Sequence, residues 1–362
     1  MAPRDTLTRI PPEIATPADY APYARERMDD AAWTWLTGGA GDGRTARRNA
    51  EAYDDLLLTT RLLRDMSAAH TRLELFGRAL DHPILLAPIA SHRLFHPDGE
   101  MATAAAAAAM GAPMVVSTQA NHRIEDIAAQ PGANLWFQLY LQPDREFTVA
   151  LVGRAEAAGY QALVLTADAP VGALRAGLAL PGGVVPVNLE GMRPLPPHHG
   201  APGQPPLFGS DLVAAAPTWA DIAWLRGLTP LPILLKGVMT PEDAARAIDE
   251  GLDGVIVSNH GGRILDGQPA AIEALPGIAE AVARRVPVLL DGGIRCGGDI
   301  FRALALGADA VLVGRLYMLA LAAAGAPGVA HVIHLLRAEL EATMIATGCA
   351  TLAEIESFLV RR

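Results

Sequence analysis

Eight short runs rich in Val, Ile, Leu and Ala, each bounded by Gly, Pro or Asp, constrain this 362-residue chain more than any other feature. They read as strands at Pro83–Ala87, Met114–Ser117, Leu135–Tyr140, Ala162–Thr166, Ile233–Lys236, Gly254–Ser258, Pro287–Asp291 and Ala310–Val313. Runs that are mostly apolar, without strict alternation, belong to parallel strands covered on both faces. Helical stretches lie between them, at Glu100–Met110, Glu146–Ala158, Pro241–Glu250 and Asp299–Leu306. The segment Thr240-Pro241-Glu242-Asp243 places a capping hydroxyl, a first-turn proline and two acids where a helix begins. Strand followed by helix, eight times over, predicts an α/β fold, the (β/α)8 or TIM barrel.

Outside the repeat, residues 1–80 are expected to form an N-terminal helical cap and residues 331–362 a closing C-terminal helix. The barrel would occupy residues 81–330, within a single domain covering 1–362. Between the fourth and fifth strands 66 residues intervene, counting from Thr166 to Ile233, and half of residues 181–206 are Pro or Gly. An ordinary βα connection is far shorter. A surface insertion and an active-site lid both fit this composition. The position favours a long lid loop after strand four, at about 175–218, because long loops on the C-terminal face of a barrel cover its active site.

Composition narrows the function classes. The chain carries 39 acidic against 29 basic residues, a net charge of −10, and no block of Lys or Arg. Nucleic acid and anionic membrane are therefore not expected as partners. Two cysteines, Cys296 and Cys349, give no disulfide framework, so a cytoplasmic location is expected. The apolar run Ala102–Met110 is too short to span a bilayer, and the N-terminus lacks the apolar core of a signal peptide. No metal site is assigned.

Active sites of this fold sit at the C-terminal ends of the strands. Seven consecutive strand ends carry chemistry: Ser117; Gln138 with Tyr140; Thr166 with Asp168; Lys236; Ser258 with His260 and Arg263; Asp291 with Arg295; Gly314 with Arg315. A purely structural barrel has no need of that convergence. The turns Asp291-Gly292-Gly293-Ile294-Arg295 and Gly314-Arg315 read as a phosphate cradle, with glycines for close backbone approach and arginines for charge-assisted bonds. The run Gly38-Gly39-Ala40-Gly41-Asp42-Gly43 lacks dinucleotide-binding spacing and follows a helical stretch, so it reads as a cap-to-barrel turn.

The run Ser258-Asn259-His260-Gly261-Gly262-Arg263-Ile264-Leu265-Asp266-Gly267, with Leu235-Lys236-Gly237 and the turn at Asp291, closely resembles the FMN-dependent 2-hydroxy-acid oxidase and dehydrogenase family. The likeness runs from about residue 17 to 355. It implies oxidation of a 2-hydroxy acid to a 2-keto acid with FMN as cofactor, and assembly into a homo-tetramer or octamer. By this resemblance His260 is the catalytic base and Asp168 its carboxylate partner. Arg263 and Arg175 bind the substrate carboxylate, and Tyr140 bonds substrate oxygens. Lys236 stands beside flavin N1 and O2, and Pro88, Ile89 and Ala90 pack against N5. Ser117, Gln138, Thr166 and Ser258 contact the isoalloxazine and ribityl chain, while Asp291, Gly293, Arg295, Gly314 and Arg315 hold ribityl and phosphate. These types suit the chemistry. No side chain takes up two electrons, so a cofactor must. Histidine suits proton removal near neutral pH, and a guanidinium can meet a carboxylate in bidentate fashion.

Two positions depart from the family pattern. Trp35 stands where many members have a carboxylate-binding tyrosine, and Gln119 stands where an aromatic residue often faces substrate. Both are expected to set side-chain specificity, and a larger or aromatic, mandelate-like acid fits as well as a small one. Ala90 resembles the oxidases, which use O2, more than mandelate dehydrogenase, which has glycine there. The dehydrogenase alternative, with another electron acceptor, stays open. A different FMN barrel, such as a type 2 isopentenyl diphosphate isomerase, would share the phosphate cradle but has no use for the His260/Arg263 pair.

Overall fold

The computed structural model describes residues 5–170, 184–192 and 208–361. Its centre is a closed barrel of eight parallel strands: β1 Ile84–Leu86, β2 Met114–Ser117, β3 Leu135–Leu139, β4 Leu163–Thr166, β5 Ile233–Val238, β6 Gly254–Val257, β7 Val288–Asp291 and β8 Ala310–Val313. Each strand pairs with its sequence neighbours, and β8 closes on β1 through Val313↔Leu86. These bounds differ from the expected ones by at most two residues at any end. The outer helices include Gly99–Ala109, Arg145–Ala157, Pro241–Asp249 and Gly297–Ala305.

Strand parity positions the site. Leu85, Val115, Trp136, Val164, Leu234, Ile256, Leu289 and Leu312 belong to one buried cluster inside the barrel, while Ile84, Leu86, Met114, Val116, Leu163 and Leu165 belong to the cluster under the helices. Side chains two positions apart in a strand share a face. Two residues beyond each inner residue stand Ala87, Ser117, Gln138, Thr166, Lys236, Ser258, Asp291 and Gly314. The same pleat that fills the barrel with aliphatic groups therefore delivers a mostly polar layer to its upper mouth.

Two expectations about the ends of the chain need correction. The first eighty residues are not wholly helical. A hairpin, Leu73–Leu75 with Arg78–Leu80, brings Leu75 and Leu80 into the inner cluster, and Phe76 meets Trp136 edge-on at 5.6 Å. This hairpin plugs the lower mouth, where an open barrel would leave apolar side chains wet. Nor is residues 331–362 a separate helix. One helix runs Arg315–Thr347, broken at Gly325, and the chain then ends in short turns and the strand Val360–Arg361, which pairs antiparallel with Leu57–Leu58. That long helix is apolar enough to cross a bilayer by composition, yet most of its most apolar stretch is buried against the helices Gly99–Ala109 and Gly297–Ala305 and strand β1. Of the proposed lid, only residues 184–192 and 208–218 are described. Arg175 lies outside the described residues.

Candidate active site

A cavity of about 370 Å3 opens at the upper mouth, within the size range of cofactor clefts. Pro88, Ile89, Ala90, Ser117, Gln119, Gln138, Tyr140, Thr166, Lys236, His260, Arg263, Asp291, Gly293, Arg295, Gly314 and Arg315 all line it, and Trp35 closes it from the cap. Ser258 and Asp168, also expected at the site, do not line the cavity, but each bonds a residue that does. The Lys236 ammonium donates to Ser258 Oγ at 2.7 Å, and the Asp168 carboxylate accepts from His260 Nδ1 at 2.9 Å.

Lys236 is buried, and its Nζ lies 3.0 Å from Asp291 Oδ2. Burial by itself would lower the Lys236 pKa, but Asp291 and Asp168 outweigh it and hold the ammonium above its ordinary value. Burial would raise the Asp168 carboxyl, yet the charges of His260 and Lys236 bring it below its ordinary value. The dyad therefore contains a carboxylate, which holds a proton on Nδ1 of His260 and leaves Nε2 as the basic nitrogen. Tyr140 is pushed above its ordinary value by burial and by Asp168, so its phenol remains a hydrogen-bond donor. Arg263 is lowered to about 10 by burial and by the nearby Arg315, and is still a cation at neutral pH.

The cap is held to this rim by two guanidiniums. Arg263 Nη1 donates to Trp35 O at 2.5 Å, with its plane 4.8 Å above the Trp35 ring. Arg315 donates to Leu36 O at 3.1 Å and to Gly38 O and Gly261 O at 3.0 Å. The Trp35, Leu36 and Gly38 carbonyls end the helix Asp30–Thr37, so both cations also face the negative end of its dipole, while the Gly261 carbonyl belongs to the loop that carries His260. Arg295 pairs with Asp299 at 2.9 Å and with Asp54 at 2.8 Å.

Sequence reasoning missed the cap's share of the cavity: Leu36, Ala46, Asn49 and Ala50 line it, as do Ile294, Leu312 and Leu316. Ile294 and Leu316 adjoin the two turns already singled out and Leu312 is an inward strand residue, whereas no spacing signal points to the four cap residues. Leu36, on the helix Asp30–Thr37, and Ala46, Asn49 and Ala50, on the helix Arg44–Asp54, reach it only because these two cap helices pack across the mouth.

The cavity fits FMN. Gln138 Nε2, Thr166 Oγ1 and Asp291 Oδ1 are buried with no partner in the protein, and they flank the paired Lys236. Buried polar atoms need partners, and a flavin ring with a ribityl chain offers donors and acceptors of this kind. The turn Asp291–Arg295 and the start of the helix at Arg315 add backbone N–H groups suited to phosphate.

A closed (β/α)8 barrel whose mouth carries this layer defines a flavin-dependent oxidoreductase. The family model for FMN-dependent dehydrogenases matches residues 24–362. An L-lactate oxidase of Alicycliphilus denitrificans is 49% identical over 360 residues, covering 98% of each chain. A peroxisomal (S)-2-hydroxy-acid oxidase of Oryza sativa subsp. japonica is 44% identical over 340 residues, covering 93% of each. The solved structure of mandelate oxidase with (S)-2-phenylpropionate superposes with a TM-score of 0.85 at 39% identity, covering 96% of this chain and 98% of that one. The chain belongs to the FMN-dependent dehydrogenase family, and FMN is its cofactor. The isomerase alternative is thereby dropped.

Proposed function

We propose that this protein oxidises a 2-hydroxy acid to the 2-keto acid and passes the electrons to O2, giving hydrogen peroxide. The single observation that carries the reading is the His260–Asp168 dyad at 2.9 Å, with His260 facing one cavity shared with Arg263 and Lys236. FMN, when bound, takes up the two electrons that the substrate loses. His260 Nε2 removes a proton from the substrate, and Asp168 stabilises the imidazolium that results. Removal of the hydroxyl proton and removal of the α-proton use the same residues. Arg263, fixed through Nη1 to the cap, presents its remaining N–H groups to the substrate carboxylate, and Arg175 is assigned the same task. Tyr140 donates to a substrate oxygen. Lys236 supplies positive charge at the end of the flavin that gains electrons. Pro88, Ile89, Ala90, Ser117, Gln138 and Thr166 are assigned to the ring and ribityl chain, and Ser258, which does not line the cavity, to holding the Lys236 ammonium. Asp291, Gly293, Arg295, Gly314 and Arg315 are assigned to ribityl and phosphate.

The relatives are named for lactate and for (S)-2-hydroxy acids, and the superposed structure for mandelate. We assign the choice among such acids to the wall formed by Trp35 and Gln119. Cytoplasmic location and a homo-tetramer or octamer are part of the same proposal; a monomeric mass by light scattering would count against the assembly. Anaerobic mixing of the purified yellow protein with lactate, glycolate and mandelate tests the reaction. Bleaching by at least one acid, then rapid recolouring in air with one peroxide per turnover, is expected. Slow recolouring would favour the dehydrogenase, and no bleaching by any 2-hydroxy acid would end the proposal.

A further inference from the structure

The base sits in an uncommon backbone. His260, Gly261 and Gly262 all have positive φ, at 56°, 62° and 72°. For histidine this left-handed region is sparsely populated and persists only where neighbours enforce it. Two groups of the loop itself help: His260 N donates to Ser258 Oγ at 3.1 Å, and Gly262 N donates to Asn259 Oδ1 at 3.1 Å. The Asn259 side chain is thus the hinge pin of the loop. It is in turn held from the cap, since Asn49 and Asn259 are both buried and exchange two amide hydrogen bonds, at 2.8 and 2.9 Å. Asn49 Oδ1 also accepts from Ala271 N at 3.2 Å, and Asn259 Nδ2 donates to Pro269 O at 3.0 Å. One side chain of the helix Arg44–Asp54 therefore ties both ends of the segment 259–271 together.

We infer that Asn49 is a positioning residue for His260, acting through Asn259 to keep the base in its left-handed conformation against Asp168. This rests on the proposed role of His260 as the base. The amide pair is suited to the task because each side chain satisfies a donor and an acceptor of the other, so neither can turn without burying unpaired groups. A second latch between the same elements gives a built-in comparison. Asp266 accepts from Asp42 N at 2.9 Å and from Thr45 N at 2.8 Å, joining cap to loop further from the imidazole.

The test uses the FMN-loaded enzyme with Asn49→Leu, the isosteric Asn49→Asp, which keeps the acceptor and loses the donor, and Asp266→Ala. The readouts are flavin reduction rate per bound FMN, FMN Kd, and hydrogen exchange of peptides covering 258–271. Asn49→Leu is expected to slow reduction by roughly 10- to 100-fold, the effect of a small misplacement of a reacting group. FMN Kd is read separately, because Asn49 also lines the cavity, and the rate per bound FMN is compared at saturating FMN; exchange around Gly262 should quicken in Asn49→Leu. Asn49→Asp should fall between it and the parent. Asp266→Ala should lower the melting temperature without changing the rate per flavin. The inference is overturned if Asn49→Leu, or Asn49→Asp should the first not fold, reduces at the parental rate with unchanged exchange. It is overturned equally if Asp266→Ala slows reduction as much as Asn49→Leu. A parent enzyme that no 2-hydroxy acid bleaches would instead defeat the proposed reaction, and the exchange data would still report on the clasp.

Discussion

Asp168 and His260 lie on different strand ends, 92 positions apart, yet a carboxylate oxygen and Nδ1 meet at 2.9 Å with both side chains largely withdrawn from water. Replacing Asp168 by Asn keeps the volume and removes the charge that selects the tautomer and stabilises the imidazolium. Flavin reduction by Asp168→Asn should fall by roughly 10²- to 10⁴-fold, as in other carboxylate–histidine dyads, while FMN binding changes little. Anaerobic stopped-flow measures it, and a variant reducing within a few-fold of the parent would contradict the role.

The wall beside Arg263 should decide which acid fits. Trp35 packs against Phe95, with the rings tilted by 35° and their centroids 5.9 Å apart, and lies beneath Arg263; Gln119 lines the same cavity. Trp35→Tyr combined with Gln119→Trp should shift the ratio of kcat/KM between mandelate and lactate by about tenfold or more, the scale of a changed apolar pocket contact. Unchanged ratios across a panel of acids would remove both residues from the specificity wall.

Glu100 gives a pH signature away from the chemistry. Its buried carboxylate accepts from His92 N, Asn121 N and His122 Nδ1. Burial alone would raise its pKa, but the His122 hydrogen bond, His92 and the Asn121 amide lower it to about 2. A carboxyl depressed in the folded state stabilises the fold above its unfolded value near 4.5 and loses that contribution as pH falls toward 2. Glu100→Gln should therefore cost on the order of 3 kcal/mol at pH 7 and progressively less below pH 4.5. Urea midpoints measured at several pH values check this, and a pH-independent difference would refute it.

Gly293 separates strain from crowding. A Cβ there would lie 1.9 Å from Asn49 O, whereas one at Gly267 would meet nothing within 4 Å, and both residues have positive φ. Gly267→Ala should show only the conformational cost, about 1 kcal/mol. Gly293→Ala must also push the cap helix from the phosphate turn, so it should lose several times more stability and bind FMN poorly. Thermal melts of the two variants with and without FMN make the comparison, and equal losses would mean that the helix yields freely.

Much of the site could be read directly from the chain because two short-range rules coincide. The strand pleat puts Ser117, Gln138, Thr166, Lys236, Ser258 and Asp291 two positions beyond inward apolar residues, and parallel strands in sequential order place all of those positions at one mouth. The run from Ser258 to Gly267 adds a motif whose residues are neighbours in sequence. What could not be read is whatever depends on one element crossing another. Asn49, Ala46 and Ala50 join the cavity only because the helix Arg44–Asp54 docks on turns more than 200 residues away, and Leu36 joins it from the preceding cap helix Asp30–Thr37. The hairpin at Leu73–Leu80 lies within the stretch expected to be a helical cap, and its role shows only against Trp136 and the barrel floor that it covers. Local pattern determined the strands, their polar tips and the family motif. Tertiary packing alone decided which cap residues reach those tips, because a helix's own sequence marks the face it buries but not the surface that face lands on.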